Sequence, residues 1–76
     1  MTVKEIGAII KYHRKMSGLS RVACAQLAGI GKTAIYDIEH GKATVQLDTL
    51  MKLLAVLNIK MRFDSPLMDH YHDEKS

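Results

Sequence analysis

The apolar positions change their spacing along the chain, and those changes divide it into elements before any chemistry is considered. Over residues 3–17, Ile6, Ile9, Ile10 and His13 recur at helical spacing, Lys4, Lys11 and Lys15 fill other positions, and Gly18 follows as a stop. Ser20 is placed to cap a second helix of about two turns, which carries Val22, Cys24, Ala25, Leu27 and Ala28 and ends at Gly29. Only Ile30 and Gly31 separate it from "KTAIYDIEH". There Ile35 and Ile38 share one face, Lys32, Thr33, Tyr36 and Asp37 lie on other sides, and Gly41 ends the element. After a polar linker, "QLDTLMKLLAVLNI" sets Leu47, Leu50, Leu54 and Leu57 on one stripe with Leu53 beside it, predicting a fourth, core-forming helix closed by Asn58.

Then the period falls to two. In "IKMRF", Ile59, Met61 and Phe63 alternate with Lys60 and Arg62, the pattern of a half-buried strand. A single strand has no partner in an otherwise helical chain. Either it docks on its own helices, or a second copy pairs with it across a two-fold axis and Ile59, Met61 and Phe63 form a dimer interface. The expected organisation is a helical domain over residues 1–58, a dimerisation strand over 59–64, and a flexible acidic tail over 65–76.

Length and charge sharpen this picture. A chain of 76 residues is one small domain, and such a domain buries only about 60% of the surface its unfolded chain exposes, so association with a second copy would help it. No run approaches the roughly 18 apolar residues of a membrane helix, and the expectation is a soluble, cytoplasmic protein without a membrane partner. One cysteine, Cys24, excludes an internal disulfide, and its apolar neighbours suit a small buried hydrophobe better than a reactive thiol. The net charge of +3 conceals an asymmetry. Residues 1–63 hold ten Lys and Arg against four acids, and residues 64–76 hold one Lys against four acids. A basic body suits a polyanion, nucleic acid first, or is simply a solvated cationic face.

The stretch "GIGKT", residues 29–33, ends as a phosphate-binding P-loop ends. That loop needs a further glycine where this chain has Gln26, and it needs a strand leading in, where this chain has a helical pattern. Nucleotide hydrolysis is therefore excluded. Other enzymatic chemistry finds no paired acids at helical spacing and no Ser-His arrangement. His70 and His72 of "HYH" fall in the tail, where solvent-exposed histidines are the simpler reading, so neither a metal nor a cofactor is expected. What remains is two short helices joined by a tight glycine turn, a helix-turn-helix whose second member is the candidate recognition helix.

Taken together, "RKMSGLS" before the second helix, "LAGI" at the turn, "IYDIEHGK" closing the third and "LDTLMKLLAVL" after it resemble the Xre/Cro-type helix-turn-helix of lambdoid phage repressors and many bacterial regulators. The likeness spans about three-quarters of the chain and rests on the combined pattern. It implies an all-α, compact four-helix, lambda-repressor-like domain followed by the one C-terminal strand. It also implies roles by position. Lys32, Thr33, Tyr36 and Asp37 match base-reading positions, with Tyr36 at the edge of that surface. Arg21 matches a phosphate-gripping position beside helix N-terminal amides, and His40, Lys42, Thr44 and Gln46 match a backbone-contacting loop. Arg14 and Glu39 match a structural ion pair.

Chemically, Lys32 can donate to guanine O6 or N7, Thr33 can bond a base or touch a thymine methyl, and Asp37 can accept from cytosine N4. Asp37 is equally consistent with a solvated helix residue that repels phosphate. The family often has glutamine, serine or arginine at these positions, so the target sequence does not carry over. Gly31 stands where a capping serine or threonine is usual, which weakens the start of the recognition helix by a few tenths of a kcal/mol. The ending "NIKMRFDSPL" resembles HipB-type antitoxins, which implies a homodimeric repressor of its own operon, a palindromic double-stranded DNA operator and a HipA-type kinase toxin as partner. The alternatives are a module that neutralises a protein partner with little DNA binding of its own, and a phage-type repressor without a toxin.

Overall fold

The computed structural model describes residues 1–75. Among these described residues five helices follow one another: α1 (Val3–Met16), α2 (Arg21–Ala28), α3 (Lys32–Glu39), α4 (Leu47–Val56) and α5 (Met68–Lys75). The first four are those expected, and their ends follow from local chemistry. Thr2 Oγ1 accepts from the Glu5 amide at 3.1 Å and so starts α1, while Ser20 Oγ accepts from the Ala23 amide at 3.0 Å and starts α2.

Gly29 ends α2 in the left-handed region at φ 70°. The Gly29 and Ile30 amides then close onto the carbonyls of Gln26 and Ala25, at 3.3 and 3.0 Å. Asn58 does the same for α4 at φ 57°, with the Ile59 amide returning 2.9 Å to the Leu54 carbonyl. The abrupt stop at Gly29 leaves only Ile30 and Gly31 before α3, so the sequence of this turn dictates the angle between the two short helices.

Ile10, Cys24, Ile35 and Leu53 are fully buried at the centre, with Ile38, Leu50, Leu54 and Leu57 around them. Two expectations are corrected here. Leu47 is exposed, and it is Leu53 that joins Leu50, Leu54 and Leu57 on the buried face of α4. On α1 the buried positions are Gly7, Ile10 and Arg14, a stripe rotated away from Ile9 and His13. The cause is Gly7. A Cβ there would collide with the Ile38 carbonyl oxygen and stand 3.0 Å from that of Glu39, so the glycine lets α1 lie directly on the end of α3.

The expected strand is not seen. Residues 59–65 form no regular element, because a strand exists through its ladder and a single chain supplies no second edge. Ile59 packs partly against the core, whereas Met61 and Phe63 are 44% and 75% exposed. The segment expected to be an irregular tail contains α5. Its start signal is Ser65 and Pro66, since the Ser65 carbonyl accepts from the Met68 amide at 3.2 Å and a proline's fixed φ suits a helix's first turn. The last tail position, Ser76, lies outside the described residues.

Candidate nucleic-acid interface

The exposed side of α3 divides into two concavities. Arg21, from the first position of α2, joins Lys32, Thr33 and Tyr36 around one of them, about 350 Å³ in volume. Asp37 faces a second, about 180 Å³, which it shares with Lys42, Thr44, Gln46 and Thr49. The four expected base-reading residues therefore lie on one helix face, but three of them cluster with Arg21 and the fourth with the loop. Of the residues expected at the DNA backbone, Lys42, Thr44 and Gln46 are together and His40 is apart from them.

Each position has a local reason. α3 opens at Gly31, which supplies no side-chain cap, so no cap residue covers the first amides of the helix, at Lys32 and Thr33. Such amides attract anions. At α2 the Ser20 hydroxyl already occupies one amide, and Arg21 stands at the first position of the helix. Asp37 Oδ2 lies 3.4 Å from Lys42 Nζ. This partly exposed pair offsets the one acid on the face presented to solvent.

Behind the face lies an ion-pair network. Arg14 Nε donates to Glu39 Oε2 at 2.6 Å and Nη2 to Oε1 at 3.1 Å, while Nη1 donates to the Leu19 carbonyl at 2.9 Å. The expected pair is thus present, and Arg21 extends it, its Nε donating to Glu39 Oε1 at 3.0 Å. The Glu39 side chain is wholly buried. Burial pushes its carboxyl upward, but the hydrogen bonds and charges of Arg14 and Arg21 outweigh this and hold it below the usual carboxylate range. The hydrogen bond to Glu39 correspondingly raises Arg14. Burial raises the Cys24 thiol, in keeping with a packing role.

Sequence reasoning missed the third member of this network. Arg21 was assigned to phosphate alone; its Nε is held by Glu39 and its guanidinium carbon lies 5.6 Å over the Tyr36 ring. Nothing in the linear pattern brings position 21 beside position 39. The stacking of Tyr36 on His40, with centroids 3.9 Å apart and planes at 22°, was also missed, although an i, i+4 aromatic pair on a helix is a readable signal.

A compact four-helix core with a short helix pair presenting α3 outward defines a helix-turn-helix DNA-binding domain. The helix-turn-helix family model HTH_3 matches residues 10–63, and the chain belongs to this family of Xre-like transcriptional regulators. It is 32% identical over 65 residues to an uncharacterised HTH-type transcriptional regulator, y4mF, of Sinorhizobium fredii, covering 86% of each chain. It is 31% identical over 58 residues to the ImmF control region 10 kDa protein of Bacillus phage phi105, covering 76% of this chain and 64% of that one.

Among solved structures, the restriction-modification controller protein C.AhdI from Aeromonas hydrophila superposes with TM-score 0.69 at 28% identity, covering 76% of this chain and 88% of that one. HipB in its complex with an O2 20mer gives TM-score 0.78 at 21% identity over 87% of this chain and 92% of its own, a likeness of fold. Among the described residues, no helix is long and apolar enough to cross a membrane.

Proposed function

We propose that the chain is a homodimeric transcriptional repressor that reads a palindromic double-stranded operator with α3 and controls its own operon as the antitoxin of a HipA-type kinase toxin. The observation that carries DNA reading is the concavity of Arg21, Lys32, Thr33 and Tyr36. A cation held at the start of one helix stands beside donors on the exposed face of the next. In this reading Lys32, Thr33, Tyr36 and Asp37 meet base edges, and Arg21, Lys42, Thr44 and Gln46 meet the backbone.

Two-fold symmetry is supported by the C-terminal segment. Met61 and Phe63 expose apolar surface next to a groove of about 370 Å³ lined by Ile6, Ile9, Leu50, Leu54 and Met61. A second copy would cover that surface, with residues 59–64 of the two chains pairing as strands. The antitoxin role is supported by the likeness of fold to HipB, which was solved in complex with an O2 20mer and with HipA. A second reading, a regulator without a toxin, is favoured by the higher identity to C.AhdI and by the phage relative.

Selection of duplexes from a random library at near-physiological salt tests the core of the proposal. A palindrome with half-sites about one helical turn, roughly 34 Å, apart is expected. Absence of enrichment above non-specific binding would overturn it. Co-purification with the product of the adjoining gene separates the antitoxin from the toxin-free regulator.

A further inference from the structure

Tyr36 and His40 occupy successive turns of α3 and its C-terminal cap, and they are joined twice. The rings stack at 3.9 Å with 22° between planes, and His40 Nδ1 lies 2.7 Å from the Tyr36 carbonyl oxygen. A carbonyl only accepts, so Nδ1 carries the hydrogen and the imidazole is fixed in both tautomer and plane. The Arg21 guanidinium lies over the same Tyr36 ring, and Arg21 is itself held by Glu39. A tyrosine that is half exposed would otherwise move among rotamers and lose entropy on meeting a partner. Here its ring is set in advance by neighbours from two helices.

We infer that His40 is a positioning residue for sequence reading: it holds Tyr36 so that the phenol edge and hydroxyl meet one base pair of each half-site, rather than itself gripping the DNA backbone. This rests on the operator-reading proposal above. The chemistry favours edge contact because base faces in a duplex are stacked on one another, and only groove edges are open to a side chain. The hydroxyl can donate to a purine N7 or guanine O6 and accept from an exocyclic amine. It stands beside Lys32 and Thr33 around one concavity, so the three read neighbouring positions. His40 instead turns a ring nitrogen back to its own helix, away from the cluster of Lys42, Thr44 and Gln46 that faces the other concavity.

The test is random-duplex selection carried out in parallel with the wild type, Tyr36→Phe, His40→Ala and His40→Phe, scored as base preference at each half-site position. Tyr36→Phe and His40→Ala should lose preference at the same position, by about tenfold, and keep it at the others. His40→Phe, which keeps a flat ring in the stack, should restore it. If His40→Ala keeps that preference and instead weakens all sequences alike with a shallower salt dependence, His40 is a backbone ligand and the inference fails. It fails equally if His40→Phe behaves as His40→Ala. Failure of the wild type to enrich any motif would instead sink the operator-reading proposal on which it stands.

Discussion

Arg14 and Glu39 stand 25 positions apart in the chain and meet through two hydrogen bonds, of 2.6 and 3.1 Å, beneath the exposed face of α3. The pair ties α1 to the last turn of α3, and the Arg21 bond to the same carboxylate ties in the start of α2. Replacing Glu39 by Gln removes the charge on which two guanidiniums converge. Loss of one partner of a buried pair costs about 3–5 kcal/mol, a large part of the stability of so small a domain. Urea unfolding of Glu39→Gln should show an unfolding free energy lower by that amount, and a loss below about 1 kcal/mol would mean that the network contributes little.

The same carboxylate makes stability depend on acid. Its pKa is lowered in the folded state, so the unfolded chain binds the proton more readily. The contribution is therefore fully present above the unfolded value and disappears as pH falls through the folded one. Thermal midpoints should hold steady above the ordinary carboxylate value of 4.5 and decline below it. In Glu39→Gln that part of the decline should be absent, and an unchanged acid limb would assign it to other carboxylates.

Gly7 sets the distance between α1 and α3. Gly7→Ala would gain helix propensity on an exposed helix, but here its Cβ collides with backbone carbonyls, which cannot rotate aside. Overpacking of this kind costs about 1–3 kcal/mol, so the variant should melt earlier although alanine is the better helix former. A variant that melts later would show that α1 can slide without loss.

Helices α2 and α4 were legible partly through their end signals, since Ser20, Gly29 and Asn58 act only on near neighbours and the structure places each where its residue type requires; α1 and α3 were legible from helical spacing and the glycines that follow them, α3 having no side-chain cap at Gly31. Which face each helix buries was read less well. Leu47 and Ile9 fit the helical spacing but are exposed, because the close approach at Gly7 rotates α1 and the stripe through Leu53 serves α4 better. The Arg14–Glu39 pair came through likeness of pattern. The Arg21 arm of the network did not, since a long-range contact leaves no periodic trace. Residues 59–64 alternate as a strand does, but alternation describes a surface in search of an edge, and a single chain has none to offer.

Lys32 and Arg21 share one concavity and should nevertheless fail differently. Lys32→Ala removes the donor proposed to read base edges and should reduce discrimination between operator and random DNA by about 1–3 kcal/mol. Arg21→Ala removes the phosphate contact of the proposed reading, so it should weaken all sequences alike and flatten the salt slope by about one unit. Because Arg21 also bonds Glu39, its variant should melt somewhat earlier, and titrations belong well below that midpoint. If both variants lost the same discrimination at an unchanged salt slope, the division of roles would be wrong.

Dimerisation is best tested without cutting the domain. Ile59 packs against the core and its amide caps α4, so removing everything from residue 59 would damage the fold as well as any interface. Met61→Asp with Phe63→Asp changes only exposed side chains. Light scattering at tens of micromolar, a range chosen around ordinary dimer affinities, should give a dimer for the wild type and a monomer for the double variant with its helical spectrum intact. Operator binding should then fall by about 100-fold, because two half-sites no longer share one tethered pair of recognition helices. A double variant that stays dimeric would move the interface away from residues 59–64, with the exposed Leu47 and Met51 on α4 the next side chains to replace.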